Sequence, residues 1–120
     1  MRMLMNILTA VALAYAVIVA VLYFFQARLV YFPGVGRQVA NTPRAHGLPF
    51  EPVTLRTDDG ESLAAWWVPV DGPGKRPRGT VLFFHGNAGN ISHRIDYLRM
   101  LHGIGYRTLI FDYRGYGAST

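Results

Sequence analysis

From Met3 to Ala27 no residue carries a formal charge, and only Asn6, Thr9 and Gln26 strongly interrupt the apolar run. A helix rises ~1.5 Å per residue, so roughly 23 apolar residues outspan the ~30 Å hydrocarbon core of a bilayer. Such a segment either spans a membrane or is removed as a signal peptide. Tyr23, Phe24, Phe25, Tyr31 and Phe32 gather at its far end, where an aromatic belt would sit, with Arg28 among them. A signal peptide has a shorter apolar region ending in small residues, whereas "YFFQARLVYF" is bulky. The chain has no Cys, which excludes a lipoprotein signal, disulfides and thiolate metal sites. The expectation is an uncleaved single-pass anchor over residues 1–28, with the lipid bilayer as partner. Arg28, Arg37 and Arg44 follow the span while Arg2 and the terminal amine precede it, a small bias toward a cytoplasmic C-terminal domain.

What remains of the 120 residues suffices for one modest domain. The net charge of +5 comes almost entirely from scattered arginines, with Lys75 the one lysine. The densest basic cluster, Lys75-Arg76-Arg78, sits in the Pro/Gly turn "DGPGKRPRG" and reads as a solvated loop, so no nucleic-acid partner is expected. Residues 29–52 carry Pro33, Gly34, Gly36, Pro43, Gly47, Pro49 and Pro52 without periodicity. They read as a linker, either lying over the membrane surface or packed as irregular coil.

Regular structure is expected from Val53 onward. "VTLRT" alternates, Asp58-Asp59-Gly60 supplies turn chemistry, and "SLAAWWVPV" returns, which is a hairpin signal. Pro69 marks the end of the second strand. Trp66 and Trp67 point to opposite faces, which predicts cover on both. "TVLFF" and "TLIF" are continuous apolar runs of the kind found in buried parallel strands. Between them Ile91, Ile95, Leu98 and Leu101 recur at helical spacing, with Asn90 or Ser92 as N-cap and Gly103 as the left-handed C-terminal residue. The pattern is strand, helix, strand: a βαβ crossover entered through a hairpin, giving an α/β class for residues 53–120.

The corner "FFHGNAGN" joins the first parallel strand to the helix. Strand-to-helix corners bind anions, either a phosphate or a transient oxyanion. A dinucleotide site would use Asp112 as ribose ligand, but Gly86-Asn87-Ala88-Gly89-Asn90 lacks the G-x-G-x-x-G glycines, and no P-loop Lys is present. His93 and Asp96 stand three apart, yet a solvated polar face explains them better than a metal site. No cofactor is implied.

Two motifs carry a resemblance. "FFHGNAGN" resembles the His-Gly turn after the third strand of α/β-hydrolases, and "FDYRGYGAS" resembles the Asp-x-Arg-Gly-x-Gly-x-Ser loop after their fourth. The preceding hairpin matches their first two strands in kind, and an N-terminal anchor followed by "RLVYFPG" is similar to one membrane-anchored serine-hydrolase branch. The resemblance implies that the backbone N–H of Asn87 donates to an oxyanion, with Ala88 the adjacent candidate. It also implies that His85 shapes the turn, that Gly86 and Gly89 let it bend, and that Asp112, Arg114, Gly115 and Gly117 form a loop beside the site. Asp112 and Arg114 are expected to pair locally.

The family acts through a Ser on a Gly-x-Ser-x-Gly elbow, followed by an acid and then a His. Ser62, Ser92 and Ser119 do not sit in such an elbow, and His46, His85, His93 and His102 all precede the place where it would begin. The expectation is therefore the N-terminal portion of a hydrolase acting on a small acyl substrate, inactive alone, with Val81 to Phe84 as an exposed apolar edge. A non-catalytic, membrane-tethered interaction module is the rival from a different class.

Overall fold

The computed structural model describes residues 1–70, 72, 74 and 76–120, which form two compact units, Met1–Tyr31 and Phe32–Thr120. Lys75 of the basic turn lies outside the described residues. In the first unit, helix α1 (Arg2–Val30) is one uninterrupted 29-residue helix with no buried side chain. Its mean hydropathy of 2.5 makes it long and apolar enough to cross a membrane. The Tyr31 N–H closes it on the Ala27 carbonyl, and Tyr31 itself is extended.

The second unit is built on a four-stranded sheet. Strands β1 (Glu51–Arg56) and β2 (Ser62–Val68) form the expected antiparallel hairpin. Strand β3 (Gly79–Phe83) pairs in parallel with β4 (Tyr106–Phe111), and β4 pairs antiparallel with β2. The order is β1-β2-β4-β3, so β3 is an edge strand. β2 stops at Val68, one residue before Pro69, which has no N–H to add to the ladder.

The connection from β3 to β4 opens with a 3₁₀ turn at Ile91–Arg94 and continues as helix α2 (Ile95–Gly103). Ile91, Ile95 and Leu98 are buried as their spacing predicts, against Trp66, Val68, Ile110 and Leu48. Phe50 closes this core edge-on to the Trp66 ring. The α2 terminus differs from expectation: Gly103 stays helical, and Gly105 (φ +89) is the left-handed residue. The two-residue delay lets the Ile104 N–H bond the Met100 carbonyl before the chain reverses into β4.

Cover on both sheet faces is not observed. Register sets Trp66 beside Ile110 and Val68 beside Thr108 on the side that α2 packs against. Leu82 and Leu109 pair on the other side, where Leu82 is 51% exposed and Phe84 62%. Trp67 lies there half-buried, with the Arg107 guanidinium over its ring. One helix can cover one face only, so the apolar character of the second face exceeds what the described residues bury.

Residues 32–50 pack as irregular coil. Pro43–His46 make a 3₁₀ turn closed by left-handed Gly47, and Pro43 and Leu48 are buried. The stretch 32–40 is held by hydrogen bonds to the corner described next.

Candidate functional site

The carboxyl ends of β3 and β4 lie side by side because the strands run parallel, and ligands of open α/β sheets bind at that end. β3 delivers His85 into the interior, where its ring is fully shielded. His85 Nδ1 lies 2.8 Å from the Gly86 carbonyl oxygen. A carbonyl only accepts, so Nδ1 carries the proton. Nε2 then faces Asp112 Oδ1 at 3.2 Å, and Asp112 is equally shielded. Oδ1 also accepts the Ile91 N–H at 2.9 Å. Burial raises the Asp112 carboxyl above the ordinary aspartate range, against the opposing pull of the Ile91 N–H and of His85.

Asp112 therefore pairs with His85, and the expected local pair with Arg114 is absent. Arg114 Nη2 instead contacts both carboxylate oxygens of Asp59, at 2.8 and 2.6 Å, on the surface. A guanidinium following Asp112 inward would lose its water without five partners to replace it. Gly115 (φ +77) and Gly117 (φ +51) turn the loop after β4. A side chain at Gly117 would run into the Asp112 carboxylate. Tyr113 stacks on the His85 ring at 4.4 Å between centroids and donates its hydroxyl to the His85 carbonyl at 2.6 Å.

Asn87 is exposed, yet its side chain ties the corner together. Oδ1 accepts the Tyr116 hydroxyl at 2.6 Å, the Ala88 N–H at 3.0 Å and the Phe32 N–H at 3.4 Å. The Ala88 amide is thus engaged by its neighbour's side chain. Ala88 (φ +65) and Gly89 (φ +76) are consecutive left-handed residues, and Ala88 is the one non-glycine with positive φ among the described residues. That conformation costs Ala about 1–2 kcal/mol. Gly89 earns its place, because a Cβ there would stand 2.7 Å from His93 Nδ1. Gly86 does not bend the chain as expected: it has no positive φ, and a Cβ on it meets nothing within 4 Å.

Asn90 is the N-cap, as its position predicts. Its Oδ1 accepts the Ser92 N–H at 2.8 Å, and its own N–H goes to His93 Nδ1 at 3.1 Å. Its Nδ2 donates to the Gly36 and Gln38 carbonyls at 2.7 and 2.9 Å. The Gly89 N–H reaches the Val35 carbonyl, and the Ala40 N–H reaches Ser92 Oγ. The helix-start donors of Ile91, Ser92 and His93 are thus spent inside the protein. With them gone and Asp112 buried, neither a diphosphate nor a ribose finds the groups it needs, which removes the dinucleotide reading. His93 and Asp96 do not form a ligand pair either. His93 Nδ1 is taken, Asp96 sits beside Arg99, and no cluster of three potential metal ligands occurs among the described residues.

Sequence reasoning missed Tyr113, Tyr116, Asn90 as the anchor of the stretch 32–40, and Ser119. Ser119 Oγ donates to the Asp112 carbonyl at 2.8 Å and accepts the Ala64 N–H at 2.9 Å, joining loop to β2. Its place in the motif marked it, but nothing in the sequence named its partners.

No family model matches the chain. It is 39% identical over 105 residues to the α/β-hydrolase domain-containing protein WAV2 of Arabidopsis thaliana, covering 84% of this chain and 33% of that protein. Among solved structures, an esterase of Pyrococcus furiosus superposes with a TM-score of 0.59 at 28% identity, over 75% of this chain and 33% of the esterase. The chain belongs to the α/β-hydrolase fold family. In the order read from its motifs, the chain holds the hairpin, the His-Gly corner and the Asp-x-Arg-Gly loop of this α/β-hydrolase fold. An uncharacterised membrane protein of Saccharomyces cerevisiae is 38% identical over 104 residues, covering 84% of this chain and 35% of that protein. The chain spans about a third of the length of these relatives.

Proposed function

We propose that this chain is the anchoring, N-terminal portion of a membrane-bound serine hydrolase that cleaves an ester, thioester or amide through an acyl-enzyme. The supporting observation is the His85–Gly89 corner at the carboxyl end of β3, braced from behind by buried Asp112. In acyl transfer a carbonyl oxygen turns negative, and preorganised N–H donors stabilise it. The Asn87 N–H is the donor in this reading, as the family resemblance implies, and the adjacent Ala88 amide serves Asn87 Oδ1. The left-handed pair Ala88-Gly89 and the tyrosines at 113 and 116 fix the peptide plane that presents it.

The nucleophile, acid and His belong to chain outside these 120 residues. Ser92 and Ser119 have both donor and acceptor capacity committed to structural bonds. The 120-residue chain alone therefore turns over no activated ester, and a rate clearly above a heat-denatured control overturns this. The reading frame past Thr120 is expected to encode a Gly-x-Ser-x-Gly elbow. In the longer protein Asn87→Pro, which lacks the N–H, lowers kcat by about 10²–10³-fold, while Asn87→Ala, which keeps it, loses far less. Equal loss in the two variants removes Asn87 from the oxyanion hole.

A further inference from the structure

The strap 32–40 is bonded to the carboxyl end of the sheet, and its first residue follows the apolar helix almost directly in sequence. Phe32 donates its N–H to Tyr116 Oη at 3.1 Å and to Asn87 Oδ1 at 3.4 Å. Helix α1 ends at Val30. Only Tyr31 separates the last residue of α1 from Phe32 in sequence, so the corner is bonded to the stretch of chain that directly follows the apolar segment. Among the described residues, the opposite end of the sheet, at Gly79, Gly103 and Tyr106, carries no such tie to residues 32–40. Exposed apolar side chains flank the corner as well: Phe32, Val35 and Phe84 are 44%, 55% and 62% exposed. A domain edge that exposes aromatic and aliphatic groups and hangs on a spanning helix suits the headgroup–acyl boundary.

We propose that the corner works at the level of the lipid ester carbonyls, and that the substrate is an acyl ester resident in the bilayer. Such a substrate reaches the Asn87 amide without leaving the membrane, so its chain need not be extracted into water. At about 0.8 kcal/mol per methylene, that extraction would slow capture of any long chain from solution. The substrate half of this proposal rests on the hydrolase reading; the location of the corner does not.

The absence of native Cys makes the location directly measurable. Gly86→Cys and Gly103→Cys each place a side chain where a Cβ meets nothing within 4 Å, at opposite ends of the sheet. Each full chain is labelled with a fluorophore and reconstituted into phosphatidylcholine vesicles. Quenching is read with aqueous iodide and with phosphatidylcholine carrying a doxyl group near its ester. The label at position 86 is expected to lose most of its iodide quenching and gain doxyl quenching, with the reverse at 103. Asn87→Ala combined with Tyr116→Phe, which removes both acceptors of the Phe32 N–H, is expected to return position 86 to iodide. Equal iodide quenching at 86 and 103, or no doxyl effect at 86, overturns the proposal and indicates a substrate taken from water. A missing Gly-x-Ser-x-Gly elbow would sink the hydrolase reading while leaving these quenching results intact.

Discussion

His85 Nε2 and Asp112 Oδ1 face each other at 3.2 Å with no exposure of either side chain. The contact welds the turn after β3 to the loop after β4. It joins the two motifs through a pair of buried ionisable side chains, and it is a structural brace behind the corner.

The brace has a pH signature. The folded Asp112 carboxyl is raised, chiefly by burial, so the folded state holds its proton more tightly than the unfolded chain. Its contribution is then fully present below the ordinary aspartate value and is lost as pH rises through the raised folded value. Asp112→Asn abolishes that dependence. Urea titrations followed by Trp fluorescence should show the advantage of the native chain over this variant growing as pH falls through that window. An advantage independent of pH would be the contrary result.

Arg114→Ala separates the observed pairing from the expected one. The Asp59–Arg114 contact is exposed on both sides, so salt and water screen it. The urea midpoint should barely move, whereas Asp112→Ala, which strips a buried partner from His85 and from the Ile91 N–H, should cost about 2–4 kcal/mol.

Glycine replacement discriminates two loop ends. Gly117→Ala meets both a left-handed φ and the Asp112 carboxylate, and is expected to lose about 2–4 kcal/mol. Gly103→Ala lies in open space in helical backbone and should be neutral or gain up to about 1 kcal/mol. Chemical denaturation of the two variants checks the contrast.

Asn90→Asp replaces the amide donors to the Gly36 and Gln38 carbonyls with acceptors that repel them. The cap to Ser92 survives, so the helix start should persist while the strap loosens. Trypsin cleavage after Arg37 is expected to accelerate, and unchanged cleavage would show that the strap is held by other contacts.

The uncovered sheet face should make residues 32–120 self-associate once detached from α1. Leu82→Lys places a charge on the edge strand, where Leu82 is half exposed, and should lower light scattering at equal concentration.

The hairpin, the crossover and the order of the two motifs were legible because each is a local signal: period-two alternation, Asp-Gly turns, and apolar spacing from Ile91 to Leu98. The strap was not. Its fixation depends on Asn90 Nδ2 reaching carbonyls 52 and 54 residues away, and no periodicity encodes a side chain bonding irregular backbone. Arg114 was misassigned for a related reason. Two residues from Asp112 is near in sequence, but the Asp112 side chain turns inward while Arg114 meets the hairpin turn at Asp59. The left-handed Ala88 was also hidden, since sequence gives no warning when a residue other than Gly takes positive φ. The donors proposed for the oxyanion were legible only through the resemblance.

Among the described residues, β4 is the only strand that touches both the hairpin and β3. During synthesis β1, β2 and β3 leave the ribosome first; the hairpin can close on itself, but it cannot join β3 in one sheet until Phe111 has emerged. Trp66 must therefore wait, solvated, while the intervening stretch is translated. A nascent chain stalled within that interval offers chaperones a hairpin without its sheet partner and a lone apolar strand, and quality control would meet this protein there.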